Sequence, residues 1–303
     1  LEIILLLRTG TRHCPYRMRR ERDCMTQTTP EIGKSIRAGG VMTNYHEAGS
    51  GTPVILMHGS GPGVSAWANW RLAIPYLSER LHVFAYDQLG FGYSELVSPP
   101  DSPPAQQSYG LERWTAHLLS FMQAMGIKRA HLVGNSMGAA VALAAAVTHP
   151  EVVDRLVLMG PMGVRFPITA GLDAVWGYTP SISTMKRLLA IFTYDHDRFV
   201  TDELAELRYK ASIRPGMQES FSSMFPQPRQ RGVDALAAYE DRLHELRAPA
   251  LIVHGREDQV IPLISSQKLL HVLDNAQLHV FGHCGHWTQI EHPKAFNRLV
   301  RDF

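Results

Sequence analysis

From residue 36 onward, short apolar runs alternate with segments long enough for helices, and four of those runs, 54–58, 130–133, 155–159 and 250–254, are rich in Val, Ile and Leu without a polar alternation. A strand with one wet face alternates polar and apolar residues. A continuous apolar strand is covered on both faces, as in parallel sheets. Weaker candidates at 43–47, 82–86 and 278–281 complete the set, and helical patterns at 111–125 and 137–148 lie between strands. Strands alternating with helices build βαβ units, so the chain reads as an α/β fold on an open parallel sheet. At 303 residues it is long enough to bury a substantial core.

The alternation stops between about 161 and 246. That stretch has amphipathic helical pieces at 182–192, 202–213 and 233–246, prolines at 180, 215, 226 and 228, and no convincing strand. It falls between two sheet strands, so it reads as an insertion in one core formed by 25–160 and 247–303. Ligands of open parallel sheets bind at the carboxyl ends of the strands, and an insertion leaving that edge covers the crevice as a lid. Residues 98–108, with four prolines, read as a surface loop.

Residues 1–24 differ from the rest. They hold six arginines against three acids, whereas the remaining chain has twenty-four basic residues against twenty-five acidic ones. The apolar run at 1–7 precedes its positive charges, the reverse of a secretory signal, and is too short to span a bilayer. The segment reads as a disordered leader, upstream or vector-derived, ahead of Met25. No basic face remains to suggest nucleic acid or a membrane surface as partner. Three cysteines, Cys14, Cys24 and Cys284, form no disulfide framework and no paired metal motif, which points to a reducing, cytoplasmic compartment.

The chemistry centres on Gly134-Asn135-Ser136-Met137-Gly138, which follows one buried run and opens the Ala-rich helix at 137–148. G-x-S-x-G between a strand and a helix is the nucleophile elbow: the turn is too sharp for side chains at its two glycine positions and leaves the serine hydroxyl exposed above the sheet. A capping serine in a glycine-rich turn would not need Gly on both sides. A serine hydroxyl needs a base held by a carboxylate, and on this architecture the order is Ser, acid, His. Asp258 lies just beyond the run 250–254, with Glu257 expected to point elsewhere. His286 sits in a Gly-His-Trp loop 28 residues later, where Gly285 lets the backbone approach Ser136, and His283 is the competing base. H-x-x-H at 283–286 could be half a zinc site, but no third ligand has plausible spacing, so no metal is expected. The backbone N–H groups of Ser60, in His58-Gly59-Ser60-Gly61-Pro62-Gly63, and of Met137 are the expected oxyanion donors. Asp87 reads as structural, and Phe91, Trp176 and Phe192 as core residues.

With these motifs in register, residues 31–303 resemble the α/β-hydrolase superfamily, and within it the meta-cleavage product hydrolases of bacterial aromatic degradation. The resemblance is carried by HGSGPGVSAWANWR (58–71), DQLGFGYSE (87–95), GNSMG (134–138), PITAGLDAVWGY (167–178), ELAELRYKASIRPG (203–216), HGREDQVIPL (254–263) and CGHWTQIEHP (284–293). Taken together they look most like the 2-hydroxymuconic semialdehyde hydrolase group. Departures, such as His283 in place of Gln, do not touch Ser136, Asp258 or His286.

The resemblance implies an eight-stranded, mostly parallel sheet flanked by helices, a homo-oligomer, and cofactor-independent hydrolysis of a carbon–carbon bond in a ring-fission dienoate. The products would be 2-hydroxypenta-2,4-dienoate and formate or a small acid. It further implies that Asn69, Asn135, Arg208 and Trp287 contact this small anionic substrate, with Arg208 clamping its carboxylate. A carboxylesterase or cofactor-free haloperoxidase on the same triad is the alternative enzyme. A triad-bearing receptor that binds a small ligand without turnover is the alternative of another class.

Overall fold

The computed structural model describes residues 29–96 and 109–303. The leader at 1–24 and all of the proline-rich loop at 98–108 lie outside the described residues. Eight strands form one sheet: β1 (Lys34–Ala38), β2 (Val41–Ala48), β3 (Pro53–Met57), β4 (His82–Tyr86), β5 (Ala130–Asn135), β6 (Val153–Met159), β7 (Ala250–Gly255) and β8 (Ala276–Phe281). Their spatial order is β1-β2-β4-β3-β5-β6-β7-β8. β1 and β2 join antiparallel at one edge, and every pair from β4 to β8 is parallel.

The sheet separates two apolar layers because alternate strand residues face opposite sides. Ile55, Met57, Leu132, Leu156, Leu158 and Ile252 face the helices Leu111–Ala124 and Met137–Thr148. Val54, Leu56, Val133, Val157, Met159 and Val253 face Trp70, Leu77, Phe296 and Val300. The continuous apolar runs of the central strands follow from coverage on both faces. The helix Met137–Thr148 is buried from Met137 to Val147, which explains its Ala-rich and non-amphipathic composition.

Strand β1 escapes the sequence reading because only Ala38 of its five residues is buried. It is an edge strand with no apolar run. The available signal is Gly39-Gly40 between two extended segments, a two-residue hairpin connection. Between β6 and β7 the chain forms helices at Ala170–Trp176, Ile182–Phe192, His196–Phe199, Asp202–Ser212, Met217–Met224 and Gln230–Leu236, then a 3-10 turn at Glu240–Glu245. The continuous helix expected at 233–246 is therefore two pieces. At the break, the Ala237 N–H turns to the carbonyls of Val233, Asp234 and Ala235 as the helix unwinds. No helix among the described residues is long and apolar enough to cross a membrane.

Candidate active site

Ser136 caps the buried helix at the end of β5 with φ 54° and ψ −114°, conformations that a side chain adopts only under strain. The corner is closed by the glycines beside it. A Cβ on Gly138 would meet the carbonyl oxygens of Met57 and His58 at 2.5 and 2.8 Å, and one on Gly134 would run into the Gly138 carbonyl. The Ser136 N–H donates to the Met159 carbonyl at 2.8 Å, tying the elbow to the end of β6.

The acid and the imidazole come from two later loops. Asp258 Oδ2 lies 2.7 Å from His286 Nδ1, and Oδ1 accepts the N–H groups of Val260 and Ile261 at 2.7 and 2.9 Å. Both side chains are almost wholly buried. Burial pushes the Asp258 carboxyl upward. The His286 charge and hydrogen bond, His254 and the Ile261 N–H together outweigh it and hold the pKa below the ordinary aspartate value. His283 is exposed and lies on the Tyr194 ring, 5.2 Å between centroids, so His286 is the histidine that Asp258 holds. Glu257 turns to Arg256 and the Cys284 N–H.

Ser136 and His286 both border the turn after β6. Met159 accepts the serine N–H, while the next residue, Gly160, has the His286 ring where its side chain would stand. The His286 loop is pinned from the insertion. Its N–H donates to Phe192 O at 2.8 Å, and the buried Glu291 carboxylate accepts Gly285 N–H at 2.7 Å and Tyr194 N–H at 2.8 Å.

Ser60 follows β3, and its hydroxyl accepts the Trp176 indole N–H at 3.0 Å. Met137 is the first residue of its helix, so its N–H is one of the donors with no partner within the helix. Asn69 donates to Asn135 Oδ1 at 3.2 Å, while its own Oδ1 is buried without a partner. Arg208 is buried on the insertion helix Asp202–Ser212. It donates to Gly63 O at 2.6 Å and pairs with Glu31 at 3.8 Å, and its Nη1 has no hydrogen-bond acceptor. Burial lowers its pKa, with Glu31 opposing. Trp287 stacks on Phe192, 4.6 Å between centroids at 12°.

Three residues gain importance over the sequence reading. His254 Nε2 lies 3.5 Å from Asp258 Oδ2, giving the carboxylate a second imidazole neighbour; the only hint was its place four residues before Asp258 at the end of a strand. Phe192 and Trp176 are buried, as expected of core residues, yet they abut His286 and Ser60. Helical periodicity reports that a face is buried, not what it is buried against. Asp87 behaves as the structural residue expected. It accepts the N–H groups of Ala66 and Tyr93 at 2.6 and 2.7 Å and the Asn44 amide at 2.8 Å. No group of three His, Cys, Asp or Glu side chains among the described residues could hold a metal ion.

A serine on a strained strand–helix corner at the end of a parallel strand, together with a buried imidazole–carboxylate pair on two later loops, defines a class. The chain belongs to the α/β-hydrolase family, whose profile, described as the alpha/beta hydrolase fold, matches residues 52–293. Its place within that family is among the meta-cleavage product hydrolases. It is 56% identical to the 2-hydroxymuconate semialdehyde hydrolase of Pseudomonas sp. (strain CF600), over 91% of this chain and 95% of that one. It is 53% identical to the 2-hydroxy-6-oxo-2,4-heptadienoate hydrolase of Pseudomonas putida, over 92% and 98%. The crystal structure of a meta-cleavage product hydrolase from Pseudomonas fluorescens IP01 superposes with a TM-score of 0.85 at 57% identity, covering 90% of this chain and 97% of that one.

Proposed function

We propose that the protein hydrolyses the carbon–carbon bond next to the remote carbonyl of a meta-ring-fission product, 2-hydroxymuconic semialdehyde or an analogue with a small 6-substituent. The products are 2-hydroxypenta-2,4-dienoate and formate or a small acid. The observation that carries the reading is the buried 2.7 Å pair of Asp258 and His286 beside the Ser136 elbow. Its support beyond that is identity above 50% to relatives named for the formyl and methyl members of this substrate class.

A carbanion is a poor leaving group, so the dienol is first ketonised: the 2-hydroxyl gives up its proton as its oxygen becomes a carbonyl, and a proton is delivered to the carbon beside the remote carbonyl. Ser136 Oγ then attacks that carbonyl and gives its proton to His286, while Asp258 holds the ring and balances the imidazolium. The N–H groups of Ser60 and Met137 receive the negative charge on the oxygen. As the carbon–carbon bond breaks, its electron pair passes into the conjugated ketone, and the enolate so formed takes back the proton held on His286. The dienoate leaves, and water releases the acyl group from Ser136. Arg208 Nη1, which makes no hydrogen bond and has only the Glu31 carboxylate 3.8 Å away, is the donor for the substrate carboxylate, and Asn69 and Asn135 with Trp287 line the path between the two ends. The helices at 161–246 act as the lid over this site, inserted in the hydrolase core of 25–160 and 247–303. The family likeness supports a homo-oligomer, and the cysteine pattern supports a cytoplasmic enzyme.

The purified protein should bleach the yellow ring-fission product of catechol, with formyl and acetyl substrates turned over faster than the benzoyl one. Persistence of the colour together with rapid turnover of p-nitrophenyl esters would overturn the reading in favour of an esterase.

A further inference from the structure

His58 takes no part in the chemistry above, yet it is completely buried at the first position after β3, directly before the loop that carries Ser60. Its proton position follows from its partners. The Gln88 N–H, which can only donate, points at Nε2 from 3.0 Å, so Nε2 is bare and Nδ1 carries the hydrogen. Nδ1 lies 2.8 Å from the Gly59 carbonyl oxygen, which can only accept. The ring is held from the other side as well: the Gln88 side chain donates to the His58 carbonyl at 2.7 Å, and Phe91 packs edge-on at 5.2 Å. Burial keeps the imidazole neutral, with its pKa down at about 4.

The Gly59 carbonyl and the Ser60 N–H belong to one peptide unit. That unit is planar and trans, so the two groups point in opposite directions. Fixing the carbonyl toward His58 fixes the N–H away from it. Gly59 lies against the elbow, since a Cβ there would be 3.1 Å from Ser136 Cβ. We propose that His58 is a positioning residue for the oxyanion site: its Nδ1–H···O=C bond to Gly59 locks the Gly59–Ser60 peptide with the Ser60 N–H turned to the carbonyl that Ser136 attacks. The motif at 87–95 thereby acquires a role, because Gln88 sets the tautomer that makes the bond possible. The inference rests on the Ser136 hydrolase reading.

The test compares His58→Asn, whose amide nitrogen can stand near the place of Nδ1, with His58→Gln, whose amide reaches the place of Nε2. Each variant is measured in the full chain for kcat and KM on 2-hydroxymuconic semialdehyde and for inhibition by phenylboronic acid, which forms a tetrahedral adduct on a nucleophilic serine. His58→Gln should lower kcat by about 100-fold, the scale of losing one oxyanion donor, and weaken the boronate by a similar factor while KM stays nearly unchanged. His58→Asn should recover most of both losses. Equal effects of Asn and Gln, a loss confined to KM, or failure of both variants to fold would each overturn the proposal and leave His58 a packing residue. Failure of the unaltered protein to bleach the yellow compound would overturn the substrate reading alone, and the boronate ratios would still decide the role of His58.

Discussion

Gly160 and the His286 ring leave no room for a single carbon between them. A Cβ on Gly160 would lie 2.9 Å from both Nδ1 and Cε1 of the imidazole and 3.3 Å from Asp258 Oδ2, and its φ of 48° already disfavours a side chain. Gly160→Ala should therefore displace the ring from the acid. We expect a fall in kcat of about 100-fold, the lower end of what misplaced reacting groups cost, with a stability loss of roughly 1–3 kcal/mol for the strained backbone. Steady-state kinetics and urea denaturation check the two effects separately.

Strain at Ser136 predicts a trade of the opposite kind. Its φ of 54° and ψ of −114° cost nothing to glycine and about 1–3 kcal/mol to another residue. Ser136→Gly should abolish cleavage and raise the stability by about 1 kcal/mol. A variant as inactive as expected but no more stable in urea would show that the corner is not strained.

Arg208 holds Gly63 O with Nη2, while Nη1, 3.8 Å from Glu31, makes no hydrogen bond and is the atom proposed to take the substrate carboxylate. A lysine has one ammonium and cannot reproduce that fork. Arg208→Lys should raise KM for the anionic dienoate by about 10-fold or more, the worth of one charge-assisted hydrogen bond, and leave turnover of a neutral p-nitrophenyl ester nearly intact. An equal loss on both substrates would remove Arg208 from carboxylate recognition.

Acid stability should be set by buried imidazoles. Burial holds His58 and His117 down at about 4, whereas the unfolded chain protonates histidine near 6.5. Between those values the unfolded state binds more protons, so stability is lost as pH falls from about 6.5 to about 4, by on the order of 2–3 kcal/mol per ring. Asp87, raised to about 6 by burial, works in the opposite sense between about 4 and 6 and offsets part of this loss. Urea midpoints at pH 5 and pH 7 should differ in this direction, and His117→Gln should narrow the gap.

The central strands, the elbow and the order of Ser136, Asp258 and His286 are legible in the sequence because each is dictated locally. A strand covered on both faces must be apolar along its length, and a corner packed against Met57 and His58 must have glycine at 138. The 2.7 Å contact between residues 28 apart is not local, and neither is the choice of His286 over His283, which the fold makes by laying His283 on Tyr194 at the surface. The same holds for Trp176, Phe192 and His254. Their types and periodicities report burial, while the neighbours that make them matter, Ser60, His286 and Asp258, arrive from distant segments. Residue types and their local order dictate which chemical groups exist and which turns can hold them. Which of those groups come together is settled by the fold, because hydrogen bonds and close contacts depend on distances that chain connectivity does not set.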